Sequence, residues 1–310
     1  MPLDQAVNRE PNLSKWQAAK GVMRLPFLSL ALISVFLGAV SAWYHSVALY
    51  PVRLLAVLVA ALSAHGAVNA LNEYHDFCSG LDLQTQRTPF SGGSGTLPSA
   101  PEHAPLAKHL GIVLSLVTII IGIWLALTTG PWLWVQGILG MMLVWTYTGP
   151  LNRHPLLCLV APGLGFGVCI VMGTEYALAG SISNTGIISG VLVALLTSTL
   201  LLLNQFPDCT ADAEAGRRHL VIRYGYGAGA ITFIAMQVTA FLVVGESVVL
   251  GLLPSPALLA MFPALLVPKM VPAIIDYSAN QENFTATLGQ NVLLTNLTPL
   301  LLAVGLILGK

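Results

Sequence analysis

The stretch LAKHLGIVLSLVTIIIGIWLALT, residues 106–128, decides the class of fold. From Leu110 to Thr128 it contains no charged side chain and no proline. An α-helix rises about 1.5 Å per residue, so about 20 such residues cross the roughly 30 Å hydrocarbon core of a bilayer. The whole chain has the same character. Of its 310 residues 55% are hydrophobic and only 8% charged, against roughly 25% charged in soluble domains. These proportions exclude an ordinary soluble domain and predict an all-α, polytopic membrane bundle of about nine helices.

Similar stretches recur at Leu25 to Tyr44, Val52 to Tyr74, Trp132 to Tyr147, Leu156 to Ala177, Thr185 to Phe206, Ala228 to Gly245, Val248 to Val267 and Leu288 to Leu308. With a cytoplasmic N-terminus, all 13 basic residues except Arg53 and Lys310 fall on the cytoplasmic side, as the positive-inside rule requires. The net charge of zero offers nothing to a nucleic acid. Residues 1–23 read as a cytoplasmic lead-in with a short interfacial helix through Trp16, Ala18 and Val22. The four cysteines show neither CxxC pairing nor zinc-finger spacing. The expected organisation is a single 1–310 domain in a cell membrane, with cytoplasmic loops at 74–106 and 207–227.

Two polar segments interrupt this pattern. NEYHDFCSGLD, residues 72–82, sets Asn72 and Asp76 at i and i+4 on a helix end, with Asp82 beyond Gly80. NQFPDCTAD, residues 204–212, places Asn204, Asp208 and Asp212 on one stripe if the helix continues across Pro207. Six of the 13 acidic residues cluster here: Glu73, Asp76, Asp82, Asp208, Asp212 and Glu214. Carboxylates near membrane depth persist where they face a polar cavity, pair together or bind an ion. Carboxylate and amide oxygens are hard donors that suit Mg²⁺, which keeps waters and bridges to substrate phosphate. Arg87, Arg217, Arg218 and Arg223 lie in the adjoining loops, suited to phosphate oxygens. The run RTPFSGGSGTLP, residues 87–98, has the composition of a backbone anion nest.

These motifs resemble the UbiA-type intramembrane prenyltransferase superfamily over essentially the whole chain. Asn72, Asp76 and Asp82 match its first motif, and Asp208 with Asp212 its second. The long Asn72 to Asp82 spacing, Gly80, the TADAEAG stretch at 210–216, GLGFG at 163–167 and YTGP at 147–150 are most similar to the naphthoate-prenylating branch. Gln205, Pro207, His219 and Leu159 depart from that branch's usual residues. The resemblance implies a central cavity open near the cytoplasmic side and Mg²⁺-dependent transfer of an isoprenyl chain from a polyprenyl diphosphate to an aromatic acceptor. That acceptor would be 1,4-dihydroxy-2-naphthoate, in menaquinone biosynthesis.

It also implies Asn72, Asp76, Asp82, Asp208 and Asp212 as metal-binding residues, and Asp76, Asp82 and Asp208 as catalytic ones. Asn72, Asn204, Arg87, Arg217 and Arg218 would contact the diphosphate. Arg24 is explained by topology alone, or contributes from the lead-in. Tyr74, Trp145, Tyr147 and Phe166 are cation-shielding or packing residues. His75, His154 and His219 are interfacial residues or bases, and His65 lies two turns before Asn72. Alternative acceptors are 4-hydroxybenzoate, another quinone precursor, a tetrapyrrole or a lipid alcohol. An ion- or proton-coupled transporter would instead place its carboxylates near the midplane, away from arginine.

Overall fold

The computed structural model describes residues 13–279, 281 and 284–310. The beginning of the lead-in, with Arg9, lies outside the described residues. Helix α1 (Lys15–Val22) starts with a capping box in which Ser14 and Gln17 bond each other's backbone N–H. The chain then turns at Arg24 (φ 51°) and enters the first span through Pro26 and a 3₁₀ turn, Leu25–Leu28, continuing as α2 (Ser29–Tyr44).

The second span is α3 (Pro51–Cys78), followed by the short helices α4 (Leu81–Gln84) and α5 (Thr96–Ser99). Next come α6 (Ala104–Thr129), α7 (Trp132–Thr146), and one span made of α8 (Pro155–Gly163), a π-helical segment Leu164–Met172 and α9 (Gly173–Ala179). Helices α10 (Asn184–Glu214) and α11 (Leu220–Val249) precede a span formed by a 3₁₀ segment, Ser255–Leu266, and α12 (Val267–Ile275). Helix α13 (Phe284–Leu308) completes the chain. There are eight membrane-length spans, with α7 a shorter apolar helix, and no strand among the described residues. The protein is an integral multi-pass membrane protein.

Neighbours in sequence pack side by side, and α13 packs on both the Ser255–Leu266 segment and α2, which closes the bundle. Helix α10 is the most buried span. Exposed Ile120, Leu127, Ile231 and Leu265 face outward, which suits hydrocarbon and would be costly in water.

Lipid gives helices no hydrophobic reason to associate, so close backbone approach must hold them together. The GLGFG run provides it. A Cβ at Gly163 would stand 2.5 Å from the Ala194 carbonyl oxygen, and one at Gly167 2.2 Å from that of Gly190. The π turns lie over this contact.

The expected span Val248 to Val267 is corrected. Helix α11 runs on to Val249, Gly251 turns with φ 70°, Pro254 is extended, and the next span is Ser255–Ile275. Apolar residues fill the turn as well, so hydropathy alone did not reveal it. Helices α3 and α10 also run past the expected span ends, to Cys78 and Glu214.

Gly167→Val should therefore cost about 1–3 kcal/mol by overpacking, read as a lowered unfolding midpoint in mixed micelles. Gly137→Ala, where a Cβ meets nothing within 4 Å, should leave the midpoint unchanged.

Candidate active site

The last turns of α3 carry Asn72 and Asp76 on one face, with Asn72 Nδ2 donating to Asp76 Oδ2 at 2.9 Å and Thr148 Oγ1 donating to Asn72 Oδ1 at 2.9 Å. Gly80, with φ 80°, reverses the chain so that α4 returns buried Asp82 toward them. Beyond a turn in which Thr88 Oγ1 accepts from the N–H groups of Phe90 and Ser91, Gly92 and Gly93 (φ 77° and 78°) enter the cavity wall, and Gly93 passes close over Asp82. A Cβ on Gly93 would lie 2.8 Å from Asp82 Oδ1, so only glycine lets the backbone lie there.

The other wall is α10. It stays α-helical through Pro207, so Asn204, Asp208 and Asp212 do form one stripe. A single side chain links the walls. Arg217 Nη1 donates to Asp212 Oδ1 at 2.8 Å, and Nη2 donates to Asp76 Oδ1. His219 Nδ1 accepts from the Ile222 N–H at 3.4 Å and caps α11, which leaves the proton on Nε2 to donate to Asp212 Oδ2 at 3.2 Å.

These groups line a polar cavity of ≈ 100 Å³ together with Arg24, Tyr147, Asn152, Cys158 and Gln205. Four carboxylates, of Asp76, Asp82, Asp208 and Asp212, face it against two guanidiniums, of Arg24 and Arg217. Arg24 is already paired with Glu73, its Nε 2.7 Å from Oε1. The cavity is thus negative before any ligand enters. Burial, then the Glu73 and Asp76 carboxylates, push Asp82 up to about 7. Burial alone would lower Arg217, but Asp76 and Asp212 more than offset it and hold the guanidinium charged. Burial raises the Tyr147 phenol well above its ordinary range, so it stays protonated.

Four buried oxygens at this cavity have no hydrogen-bond partner: Asp82 Oδ2, Asn204 Oδ1, Gln205 Oε1 and Asp208 Oδ1. An orphaned buried acceptor costs about 1–3 kcal/mol. Acceptors orphaned together in a negative cavity fit a hard cation. Among the described residues no three His, Cys, Asp or Glu side chains converge on one point as a closed ligand set. Mg²⁺ takes one or two protein carboxylates and completes its shell with water and phosphate, so the open carboxylate oxygens of Asp82 and Asp208 fit it.

The cavity therefore gathers Asn72, Asp76, Asp82, Asn204, Asp208, Asp212 and Arg217. It does not gather Arg87 or Arg218. Both are exposed. The Arg87 guanidinium crosses Gly95, and Arg218 contributes a backbone N–H to the Asn152 carbonyl at 2.8 Å. Arg223, His75 and His154 are exposed as well and do not line the cavity. His65 is buried against Phe166. Sequence reasoning underrated Arg24, whose position at a helix entrance matches a topology charge, and did not find Asn152, Cys158 or Gln205.

The profile of the UbiA prenyltransferase family matches residues 31–297. The chain belongs to the UbiA prenyltransferase family. It is an enzyme of the prenyltransferase class. A 1,4-dihydroxy-2-naphthoate octaprenyltransferase of Bacillus subtilis (strain 168) is 30% identical over 262 residues, covering 82% of this chain and 80% of that protein. The protein of the same name from Mycobacterium leprae (strain TN) is 29% identical over 219 residues, covering 66% of this chain and 72% of its own. Solved UbiA homologs share the fold. The apo structure from Aeropyrum pernix K1 has a TM-score of 0.66 at 15% identity, covering 90% of this chain and 97% of that one. One from Archaeoglobus fulgidus, bound to DMAPP and Mg²⁺, has a TM-score of 0.56 at 11% identity, covering 93% and 99%.

Asp82 gives this UbiA-family chain a testable pH response. The folded state keeps a proton that the unfolded chain releases near the ordinary carboxyl value, so without divalent cation stability should fall as pH rises from about 4 to about 7. Thermal unfolding in detergent across that window should show the decline. Mg²⁺ should reverse it at the upper end, and Asp82→Asn should make it shallower.

Proposed function

We propose that the protein transfers an isoprenyl chain from an allylic polyprenyl diphosphate to 1,4-dihydroxy-2-naphthoate, with Mg²⁺ as cofactor. The observation that carries this reading is the set of orphaned oxygens of Asp82, Asn204 and Asp208 around one cavity, with Arg24 and Arg217 in its wall. A diphosphate cannot settle beside four carboxylates unless cations intervene, and the orphaned oxygens are where cations fit.

Asn72, Asp76 and Asp82 on one wall, and Asn204, Asp208 and Asp212 on the other, would hold the metal. When bound, Mg²⁺ stabilises the negative charge that builds on the departing diphosphate. Arg217 and Arg24 add fixed positive charge to the same end of the cavity. Thr148 and His219 hold Asn72 and Asp212 in place through their hydrogen bonds. In the reaction the allylic C–O bond breaks, a carbon of the electron-rich ring bonds to the freed allylic carbon, and that ring carbon loses its proton. Protonated Tyr147 on the wall can present its ring face to the cationic carbon. The surrounding apolar bundle keeps out water that would capture it.

The naphthoate acceptor is supported by the names of the bacterial relatives and by the motif spacing. A cytoplasmic N-terminus and site are supported by the distribution of basic residues. Asp76→Asn and Asp208→Asn should each lower turnover at least about a hundredfold by removing charge stabilisation confined to the transition state. Release of diphosphate from a fluorescent prenyl donor, with and without Mg²⁺, measures this, and unchanged turnover in both variants would sink the mechanism. Mass spectrometry of products from purified protein offered naphthoate, hydroxybenzoate and lipid-alcohol acceptors decides among them. A hydroxybenzoate or lipid-alcohol product with none from naphthoate would reassign the acceptor.

A further inference from the structure

Glu73 belongs by sequence to the first acidic motif, but it lies behind the cavity wall and does not line the cavity. Its side chain is 0% exposed and is absent from the cavity wall. Both oxygens are committed. Oε1 accepts from Arg24 Nε at 2.7 Å and from the Ser94 N–H at 2.7 Å, and Oε2 accepts from Ser94 Oγ at 2.6 Å. One carboxylate on α3 therefore ties together the end of the lead-in and the glycine-rich loop.

Each tie ends on something the cavity uses. Arg24 holds a left-handed backbone (φ 51°, ψ 54°) that a non-glycine residue keeps only when its surroundings impose it. Its guanidinium reaches the cavity wall. Asn69 Nδ2 donates to the Met23 carbonyl at 3.0 Å and fixes the turn from the other side. Ser94 follows Gly92 and Gly93, which line the cavity, with Gly93 passing close over Asp82. Helix α1 seals the same junction. A Cβ on Gly21 would meet Thr96 Oγ1 at 2.0 Å, and Val22 packs with Leu97, Ala70 and Ala107.

We propose that Glu73 is a positioning residue for the diphosphate end of the site, binding neither metal nor substrate but fixing the Arg24 guanidinium and the Gly92–Ser94 backbone as one preformed anion-facing wall. A charge-assisted pair with two further N–H and O–H donors on one carboxylate is rigid enough for this. Arg24 then acts on the diphosphate in the orientation Glu73 gives it.

The inference rests on the diphosphate reading above and is tested with inorganic pyrophosphate as the probe. Glu73→Gln should raise the donor KM and the inhibition constant for Mg²⁺-pyrophosphate together, each about tenfold, while the acceptor KM stays within about twofold. Arg24→Gln should do the same. The double variant should be no worse than either single one, because the two residues act as one unit. Ser94→Ala, a milder loss, should raise both constants about threefold and serves if Glu73→Gln does not fold.

An unchanged donor KM and pyrophosphate constant in folded Glu73→Gln, or in Ser94→Ala if Glu73→Gln does not fold, would overturn the inference. So would a parallel rise in acceptor KM, or multiplicative effects in the double variant. If Asp76→Asn and Asp208→Asn are inactive while Glu73→Gln keeps wild-type constants, only this inference fails. If those Asp variants remain active, the diphosphate reading itself has failed.

Discussion

Arg217 stands between two helices whose ends would otherwise repel each other. Asp76 closes one membrane span and Asp212 another, and the guanidinium that bonds both is supplied by the short connection after α10. Without it, carboxylates on two walls would face each other across a partly desolvated gap, where losing one partner of a buried pair costs of order 3–5 kcal/mol. The bridge sets the distance between the walls, and so the size of the cavity. It also leaves Asp82, Asn204 and Asp208 with free oxygens, because the Arg217 guanidinium is committed to Asp76 and Asp212 and Arg24 is paired with Glu73. A site built this way is held in shape before any ligand arrives, which lowers the ordering cost of binding.

The membrane as solvent explains why so much of the fold was legible in the sequence. A chain in hydrocarbon must satisfy its backbone internally, so apolar runs of sufficient length have to be helices. The acidic segments were legible for the complementary reason, since clustered charge at helix ends is too costly to be idle. The continuity of α10 through Pro207 was the condition on which the second stripe depended, and the structure meets it.

Other features turned on directions and contacts that composition does not encode. Arg24, Arg87, Arg217 and Arg218 are alike as basic residues near helix ends, yet Arg24 and Arg217 turn inward while Arg87 and Arg218 remain exposed. Glu73 counts with the acidic cluster by position but is turned beside the cavity, onto Arg24 and Ser94. The break at Gly251 and Pro254 sits inside continuous apolar sequence, where hydropathy has no contrast. The GLGFG run is only a pattern in the sequence, and its contact with α10 explains the glycine spacing.

The π-helical segment Leu164–Met172 sets the phase between the two ends of its span. A turn closed by an i to i+5 bond holds one residue more than an α-turn, so the two ends are not in the rotational register of an unbroken α-helix. Cys158 at one end meets Asn152 and Gln205 beside the cavity, while Glu175 at the other accepts the Ser183 hydroxyl at 2.6 Å. Deleting one residue in between would turn one end by about 100° relative to the other. The wide turns thus act as a spacer in angle, letting a single helix present correct faces to two partners whose directions an ordinary α-helix could not match together.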